Sequence, residues 1–293
     1  MPRLAVLGQP IAHSRSPAMQ NAALAKLGLA GEWSYEAIEI APEDFEARVR
    51  AMPGEGFAGA NVTVPHKVAA LRVADEASEP ARAIGAANML SFSDGRIAAE
   101  NTDATGFLDA LPGDPAGGRA LVLGAGGSAR AVVWALASRD AKVTIWNRTP
   151  ERSRRLAEEL GVSALGAGDR GPGAGEFDLL VNCTTVGMGE GGADLKALPL
   201  DADAMGERHT LVDLAYGPAE TELVRAARAR GAAVIDGLEV LVRQGAASLR
   251  IWTGLDPPIE TMRQAARQQD ATRESPPISE AGPRPGGGDG TQA

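Results

Sequence analysis

Short apolar runs alternate with longer amphipathic stretches along most of the chain. In the first hundred residues the apolar runs have the length of strands, and the stretches between them repeat with the spacing of one helix face. The predicted strands cover 3–8, 33–40 and 57–64, and the predicted helices cover 17–28 and 42–51. A β-hairpin is expected around Ser93, Asp94 and Gly95, between the segments NMLSF and RIAAEN.

The same alternation restarts near residue 119. The predicted strands of this part cover 119–124, 141–146, 177–182, 209–214 and 232–236, and its predicted helices cover 127–138, 150–160 and 219–230. Strands that alternate with helices favour parallel sheets joined by right-handed crossovers. The pattern therefore predicts an α/β protein with two consecutive domains.

Two further helical patterns, at 238–252 and 258–267, follow the second predicted sheet, and we expect them to return to the first domain. On this interpretation the first domain covers 1–103, completed by 238–267, and the second domain covers 104–237. Residues 268–293 are rich in Pro and Gly and nearly lack large apolar side chains, so they are predicted to form a disordered tail.

Composition limits the kinds of partner that the protein can bind and the cellular compartments that suit it. The chain has 293 residues, 44% of them apolar, and a formal net charge of -9, which argues against nucleic acid or an anionic membrane surface as the main partner. Its single cysteine, Cys183, cannot form an internal disulfide, and no Cys/His cluster has zinc spacing. Neither a signal-peptide core nor an apolar run of about 18 residues is present, so we expect a cytoplasmic protein without a membrane span.

A glycine-rich turn follows the predicted strand at 119–124 and opens the next helix. It consists of Gly124, Ala125, Gly126, Gly127, Ser128 and Ala129. In a dinucleotide-binding turn, Gly124 would make the tight turn, Gly126 would let the backbone approach a pyrophosphate, and Ala129 would fill the third small position. The helix N-terminus would then bind the anion. A plain strand-to-helix turn in a glycine-rich chain is the alternative.

The end of the following strand indicates which dinucleotide is bound. The chain there contains Asn147, Arg148, Thr149 and Arg152, and it lacks the carboxylate that would usually contact a ribose 2′-hydroxyl. The two arginines offer forked donors that match a 2′-phosphate, with the threonine hydroxyl beside them. NADP is therefore favoured over NAD, and solvated arginines at a helix start are the alternative.

Hydride transfer also requires a group that handles a proton, and two candidates stand at predicted strand ends. Lys67 follows the strand of NVTVPHK, and Asp103 lies in ENTD at the junction of the two domains. A Lys–Asp pair at this edge could hold an ammonium beside a substrate oxygen. The alternatives are a surface lysine and an N-capping aspartate. His13 lies in a predicted loop, and His66 is expected to point away from its neighbour Lys67.

Taken together, these segments resemble the shikimate dehydrogenase family over about residues 3–265. The matching motifs, in order, are GQPIAHSRSP, GANVTVPHK, AIGAANML, ENTDATGF, GAGGSAR, NRTPER, NCTTVGM, DLAYGP and DGLEVLVRQGA. The resemblance implies an N-terminal α/β substrate domain, a Rossmann-like NADP-binding domain and an active site in the cleft between them. It also implies that Lys67 and Asp103 are the catalytic pair.

The resemblance implies further site residues. Those similar to the family's substrate ligands are Ser14, Ser16, Asn61, Thr63, Asn88, Tyr216 and Gln244. Those similar to residues near the nicotinamide and the cofactor channel are Leu214, Gly237 and the segment from Thr184 to Met188. The sequence departs from the family pattern at Gln20, Met89, Ala104 and Gly217, none of which is a proposed catalytic group.

The function that the resemblance implies is the reversible reduction of 3-dehydroshikimate to shikimate with NADPH, in the pathway to chorismate and the aromatic amino acids. A quinate/shikimate or aminoshikimate dehydrogenase is the alternative within the same class. A non-catalytic NADP-binding sensor is the alternative from another class, and it would not need the Lys67 and Asp103 pair. The sequence leaves the oligomeric state open, with a homodimer as the candidate assembly.

Overall fold

The structure is a computed structural model that describes residues 1–165, 173–187, 195–217 and 219–271. The strands are β1 Arg3–Gly8, β2 Ser34–Glu39, β3 Phe57–Val62, β4 Glu76–Ala77, β5 Met89–Ser93, β6 Arg96–Glu100, β7 Arg119–Leu123, β8 Lys142–Trp146, β9 Ser163–Ala164, β10 Leu179–Asn182, β11 Thr210–Asp213 and β12 Ala233–Asp236. The helices are α1 Ser16–Lys26, α2 Phe45–Ala51, α3 Lys67–Val73, α4 Glu79–Ile84, α5 Thr102–Ala110, α6 Gly127–Ala137, α7 Pro150–Leu160, α8 Glu222–Ala229, α9 Gly237–Thr253 and α10 Ile259–Ala271.

The N-terminal sheet has six strands in the order β2-β1-β3-β5-β6-β4. Strand β1 is parallel to both β2 and β3, whereas β5 is antiparallel to β3 and to β6. The antiparallel strands form the predicted hairpin, whose turn residues Asp94 and Gly95 have φ values of 51° and 72°. Two residues with positive φ suit a two-residue hairpin loop. The sheet is therefore mixed, because the hairpin reverses the chain where a parallel sheet was expected.

The second sheet is parallel throughout, in the order β12-β11-β10-β7-β8-β9. The chain runs outward from β7 through β8 to β9 and then returns to the other side of β7 with β10. This reversal makes the carboxyl ends of β7 and β10 a topological switch point, where open α/β sheets bind ligands. The α/β class with a Rossmann-like second sheet agrees with the sequence prediction.

The two late helices pack on the N-terminal part of the chain. Helix α9 lies against α5 and β3, and α10 lies against α1. Apolar side chains of both parts share one core, which includes Leu4, Val6, Met19, Leu24, Val242, Leu249, Met262 and Ala266. Burial of these side chains, at about 25 cal/mol per Å² of apolar surface, holds the two late helices in place.

Several boundaries differ from the sequence prediction. Strand β3 ends at Val62, before the proline of the NVTVP segment. Helix α4 and the two-residue strands β4 and β9 were not predicted. Helix α10 continues to Ala271, so residues 268–271 are helical and do not belong to the predicted disordered tail. The rest of that tail, 272–293, lies outside the described residues. Among the helices of the described ranges, none has both the length and the apolar content to cross a membrane.

Candidate active site

Lys67 and Asp103 form an ion pair at the first turns of two helices. Lys67 begins α3 shortly after β3 ends, and its Nζ lies 2.6 Å from Asp103 Oδ2. Lys67 is only 8% exposed, so it is not a surface lysine. Asp103 is not the N-cap of α5 either, because Asn101 occupies that position and its side chain accepts the N–H of Ala104 at 3.2 Å. Both structural alternatives for this pair are therefore wrong.

The other carboxylate oxygen of Asp103 is bound by Asn88. Nδ2 of Asn88 lies 2.9 Å from Asp103 Oδ1, 2.9 Å from Thr102 Oγ1 and 3.1 Å from Gln244 Oε1. Oδ1 of Asn88 accepts the backbone N–H of Thr102 at 2.6 Å. Gln244 reaches this group because α9 packs on α5, as expected for a late helix that returns. Asp103 thus has a donor on each oxygen, which fixes the direction of its carboxylate.

Asn61 lies in the same network but uses its amide within the protein. Its Oδ1 accepts the Tyr35 hydroxyl at 2.8 Å, and its Nδ2 donates to Ser248 Oγ at 2.9 Å and to the backbone oxygen of Asn88 at 3.2 Å. Asn61 is 5% exposed. These bonds occupy both ends of the Asn61 amide, and the amides of Asn88 and Gln244 are bonded at both ends in the same way. A ligand that binds any of the three would therefore share or replace a partner within the protein. Thr63 follows β3 and is half-buried, with its backbone N–H bonded to Leu7.

The HSRS segment reaches across to the loop that follows β11. Ser14 Oγ accepts the backbone N–H of Ser16 at 3.3 Å, and Ser16 is hydrogen-bonded to Tyr35. Arg15 donates to the backbone oxygen of Gly217 at 2.6 Å and lies over the ring of Tyr216 at 5.5 Å from its centroid. Burial raises the pKa of Tyr216, and the charge of Arg15 opposes that shift. Tyr216 is therefore held next to the segment that contains Ser14 and Ser16.

The glycine-rich turn leaves the N-terminus of α6 open and without a side-chain cap. Gly124 has φ of 112°, and its N–H donates to the oxygen of Trp146 at 2.7 Å. Gly126 is the N-cap of α6, so no side chain caps this helix, and a Cβ placed on Gly126 would meet no atom within 4 Å. Gly127 faces the other way, since a Cβ there would lie 2.9 Å from Cβ of Lys67. Ala125 and Ala129 lie on either side of this pair, and Ala129 is fully buried.

The residues after β8 are exposed. Arg148, Thr149 and Arg152 all lie at the surface, and the side chain of Asn147 donates to the Thr149 backbone oxygen at 2.9 Å. Within the described ranges neither Arg148 nor Arg152 forms an ion pair, unlike Arg154, which pairs with Glu151. Two guanidinium groups therefore remain available to an anion at the end of this strand.

A buried carboxylate that sequence reasoning missed organises the loops at the carboxyl ends of β10 and β11. Asp213 is fully buried, and its oxygens accept the Thr221 hydroxyl at 2.6 Å, the amide of Asn182 at 2.8 Å and the N–H of Ala215 at 3.1 Å. Burial raises its pKa and these donors oppose the shift. Polar residues at the ends of the buried strands β10 and β11 were the available signal.

The predicted nicotinamide residues lie around this cluster. Thr184 is bound to Asn182 through its N–H and its hydroxyl, at 3.0 and 2.7 Å from Oδ1. Leu214 donates its N–H to the Asn182 backbone oxygen, and Gly237 packs so closely that a Cβ would lie 2.7 Å from the Leu214 oxygen. Met188 lies outside the described residues.

The remaining candidates for chemistry have structural partners. His66 stacks on Phe45 at a centroid distance of 4.5 Å, and its Nε2 lies 2.8 Å from the backbone oxygen of Ile40. It therefore points away from Lys67, as expected. Burial raises the pKa of the Cys183 thiol, which keeps it protonated and disfavours a nucleophilic role.

Sequence reasoning also missed Ser248, which is fully buried and bonded to Asn61 and Thr102. Ser248 lies one helical turn after Gln244, so the spacing of four residues on α9 could have indicated it.

Three family models match the chain. The model described as the shikimate dehydrogenase substrate binding domain matches residues 6–90, and that described as shikimate / quinate 5-dehydrogenase matches 110–186. The model described as the shikimate 5'-dehydrogenase C-terminal domain matches 237–267, the region of α9 and most of α10.

Known proteins are similar over nearly the whole chain. An NADP(+) shikimate dehydrogenase of Thermus thermophilus is 46% identical over 270 residues, which cover 92% of this chain and 98% of that protein. The crystal structure of a shikimate 5-dehydrogenase from Thermus thermophilus in complex with NADP(H) and shikimate is 46% identical, with a TM-score of 0.81, and the match covers 92% of this chain and 99% of that one. The ligand-free 5-ketofructose reductase of Gluconobacter sp. strain CHM43 is 29% identical, with a TM-score of 0.80, over 92% of this chain and 98% of that one. The same fold thus also occurs in a protein named for another substrate.

Proposed function

This chain belongs to the shikimate dehydrogenase family, and we propose on that basis that it interconverts 3-dehydroshikimate and shikimate with Lys67 and Asp103 as its proton-handling pair. The chain is an NADP-dependent oxidoreductase that acts on a CH–OH group. The observation that carries the proposal is the contact of 2.6 Å between Lys67 Nζ and Asp103 Oδ2, in a nearly buried position next to the glycine-rich turn.

The residues of this chain fit NADP. The space beside Gly126 is open, and the first N–H groups of α6 have no side-chain cap, so a pyrophosphate can bind the helix N-terminus. Arg148 and Arg152 would bind the 2′-phosphate as forked donors, with Thr149 beside them. When bound, NADP supplies the hydride acceptor of the oxidation and NADPH the hydride donor of the reduction.

Lys67 would take the proton of the substrate hydroxyl in the oxidation and return it in the reduction. Asp103 holds the amine of Lys67, and Asn88 holds Asp103 in turn, so the proton is handled at a fixed position. The pair lies where little water reaches it, with side-chain exposures of 9% for Lys67 and 16% for Asp103. Such a position strengthens the electrostatic interactions that orient the amine.

The polar groups around the pair would select the cyclic acid. We assign the ring hydroxyls to Asn61, Thr63, Asn88 and Gln244, and the carboxylate to Ser14, Ser16 and Tyr216. A quinate molecule would place an additional hydroxyl beside that carboxylate, and a buried hydroxyl without a partner costs about 1 to 3 kcal/mol. Shikimate is therefore the expected substrate, in preference to quinate, by at least about tenfold in catalytic efficiency.

The domain division follows from the same assignment. We propose that residues 1–103 and 238–267 form the substrate domain and that 104–237 form the NADP domain, with the active site in the cleft between them. Packing of α9 and α10 on the N-terminal core supports this division. Assembly as a homodimer stays a prediction, which analytical ultracentrifugation would test.

A steady-state assay tests the proposed function. The purified chain should oxidise NADPH, followed by its absorbance, when 3-dehydroshikimate is added, and should reduce NADP+ faster with shikimate than with quinate. Equal efficiencies for the two acids would instead indicate a dual quinate/shikimate dehydrogenase, and turnover of an aminated analogue alone would indicate an aminoshikimate dehydrogenase. The sensor alternative is not retained, because the chain is an oxidoreductase.

A further inference from the structure

The amine of Lys67 has a second partner, which lies in the glycine-rich turn at the start of α6. Nζ of Lys67 donates to Ser128 Oγ at 2.9 Å, in addition to Asp103 Oδ2 at 2.6 Å. Ser128 belongs to the glycine-rich turn and was assigned from the sequence to cofactor binding. We propose that Ser128 is a positioning residue, whose hydroxyl orients the amine of Lys67 toward the substrate oxygen. This inference rests on the proposed role of Lys67 in the reaction.

The packing of the turn supports this contact. A Cβ on Gly127 would lie 2.9 Å from Cβ and 3.0 Å from Cδ of Lys67, whereas a Cβ on Gly126 would meet nothing within 4 Å. The two neighbouring glycines therefore serve different purposes. Gly126 leaves room for an approaching ligand, and Gly127 lets the aliphatic stem of Lys67 lie directly against the first turn of α6. Ser128 follows Gly127 on the same turn, where its oxygen meets the end of that stem.

The number of hydrogen-bonding positions on the amine explains how a second partner fixes its orientation. A charged lysine has three N–H donors, and a neutral one has two N–H donors and one lone pair. Asp103 accepts one N–H and Ser128 a second, so the remaining position is the lone pair of the neutral amine or the third N–H of the charged one. In the oxidation the substrate O–H bond breaks, its proton joins that lone pair, and its electrons form the C=O bond. The carbinol hydrogen leaves with the C–H electron pair as hydride, which bound NADP+ would accept. The reduction reverses both transfers.

Without Ser128 the amine would keep Asp103 as its one hydrogen-bond partner among the described residues. It could then rotate about the bond between Cε and Nζ, and its lone pair would point toward the substrate in only part of the population. Misalignment of a reacting group by a small distance or angle lowers the rate of the chemical step, with less effect on ground-state binding. The Ser128 hydroxyl should therefore affect kcat more than cofactor affinity.

Substitution of Ser128 distinguishes a role in positioning Lys67 from a role in cofactor binding. We expect Ser128→Ala to lower kcat for shikimate oxidation by about tenfold, which corresponds to the loss of one hydrogen bond to a charged group. The Kd for NADP+, measured by fluorescence titration, should change by less than about twofold, because the backbone N–H groups of the turn remain. Ser128→Thr retains a hydroxyl and should recover most of kcat.

Ser138→Ala is the matched control, since Ser138 lies just past the other end of α6, is exposed, and donates its hydroxyl to the nearby backbone oxygen of Ala135. Gly127→Ala provides a second variant. Its added Cβ would displace the aliphatic stem of Lys67 and should therefore lower kcat, with little change in the Kd for NADP+.

The outcomes are distinct. A weaker Kd for NADP+ with unchanged kcat in Ser128→Ala would overturn the inference and return Ser128 to cofactor binding. Unchanged values for both, or a loss of kcat that Ser128→Thr does not recover, would also overturn it. A wild-type enzyme without turnover overturns the proposed function and this inference with it, whereas an active wild type with unaffected variants overturns this inference alone.

Discussion

The two sides of the proposed cleft differ in how much of their polar chemistry is already satisfied by the protein. On the substrate side, which we define as Lys67, Asn88, Asp103, Gln244 and Ser248, each side chain is hydrogen-bonded to at least one other member of the group or to Asn61 or Thr102. On the cofactor side, defined as Gly126, Arg148, Thr149 and Arg152, the arginines are exposed and form no ion pair within the described ranges.

This difference indicates what fixes the side chains of each side in place. The substrate side is buried, and an unpaired polar group there would cost about 1 to 3 kcal/mol, so its members fix one another before a ligand arrives. The cofactor side is exposed, and its arginines would lose rotamer freedom only on binding a phosphate. Loss of a residue on the substrate side should therefore affect turnover and stability, and loss on the cofactor side should affect cofactor affinity.

The largest effect is expected for Lys67→Ala. Removal of the amine should lower kcat by roughly 100- to 10,000-fold, the usual contribution of a positioned acid–base group, and leave NADP+ affinity nearly unchanged. Steady-state rates and a cofactor titration measure the two quantities. Lys26→Ala, an exposed lysine at the end of α1, is the control. A normal kcat with a raised KM for shikimate would mean that Lys67 only binds.

Arg148→Ala should have a smaller effect, confined to the cofactor. We expect it to weaken NADP+ by about 1 to 3 kcal/mol through a lost charge-assisted contact, with little change for NAD. Titration of both cofactors gives the comparison, and Arg139→Ala, an exposed arginine after α6, provides the control. Equal weakening of NADP+ and NAD would contradict the 2′-phosphate assignment.

Ser248→Ala should reduce stability in the absence of any ligand. The change removes the acceptor of Asn61 Nδ2 at 2.9 Å and the partner of Thr102 Oγ1 at 3.0 Å, and both of these residues are buried. We expect a loss of about 1 to 3 kcal/mol in the free energy of unfolding, measured by urea denaturation. Ser93→Ala, at the exposed hairpin end, should change it by less than about 0.5 kcal/mol. Equal losses would mean that the substrate side is not preassembled.

The smallest effect concerns the ion pair that joins α9 to α10. Hydrogen bonds from Arg263, with Arg243 nearby, lower the pKa of Glu239 from 4.5 to about 2. Because the folded value is below the unfolded one, this pair stabilises the protein fully above about pH 4.5, and its contribution is lost as the pH falls toward 2.

Glu239→Gln should therefore lower the melting temperature at pH 7 by a few degrees, about 1 kcal/mol for a partly exposed network, and by less near pH 3. Glu46→Gln, which removes a more exposed pair with Arg50, serves as the control. A decrease that is the same at both pH values would contradict this role.

The sequence could predict the elements and the residues that lie at their ends. Period-two and helical patterns identified β1, the hairpin and every strand of the second sheet except the two-residue β9, because these patterns follow from which side chains each element buries. Lys67, Asp103 and the glycine-rich turn could be recognised because each stands at the carboxyl end of a strand, where α/β sheets bind ligands.

Contacts between distant segments could not be predicted in the same way. The bond from Ser248 to Asn61, and that from Arg15 to Gly217, join residues that are 187 and 202 positions apart. They depend on how α9 packs and on how the two sheets meet, which no local pattern determines. The contact of Lys67 with Ser128 is of the same kind, and for that reason Ser128 was assigned only to the cofactor.

Coupling between mutations tests the difference between the two sides most directly. The measurement is kcat/KM for NADPH at saturating 3-dehydroshikimate, in double-mutant cycles that combine Lys67→Ala with Asp103→Asn and Lys67→Ala with Arg148→Ala. We predict that the first double mutant loses far less than the product of its single losses, because the two groups act as one unit, and that the second is multiplicative within about twofold. Independent effects of Lys67 and Asp103, or strong coupling of Lys67 to Arg148, would contradict a preassembled proton-handling pair that is separate from the 2′-phosphate contacts.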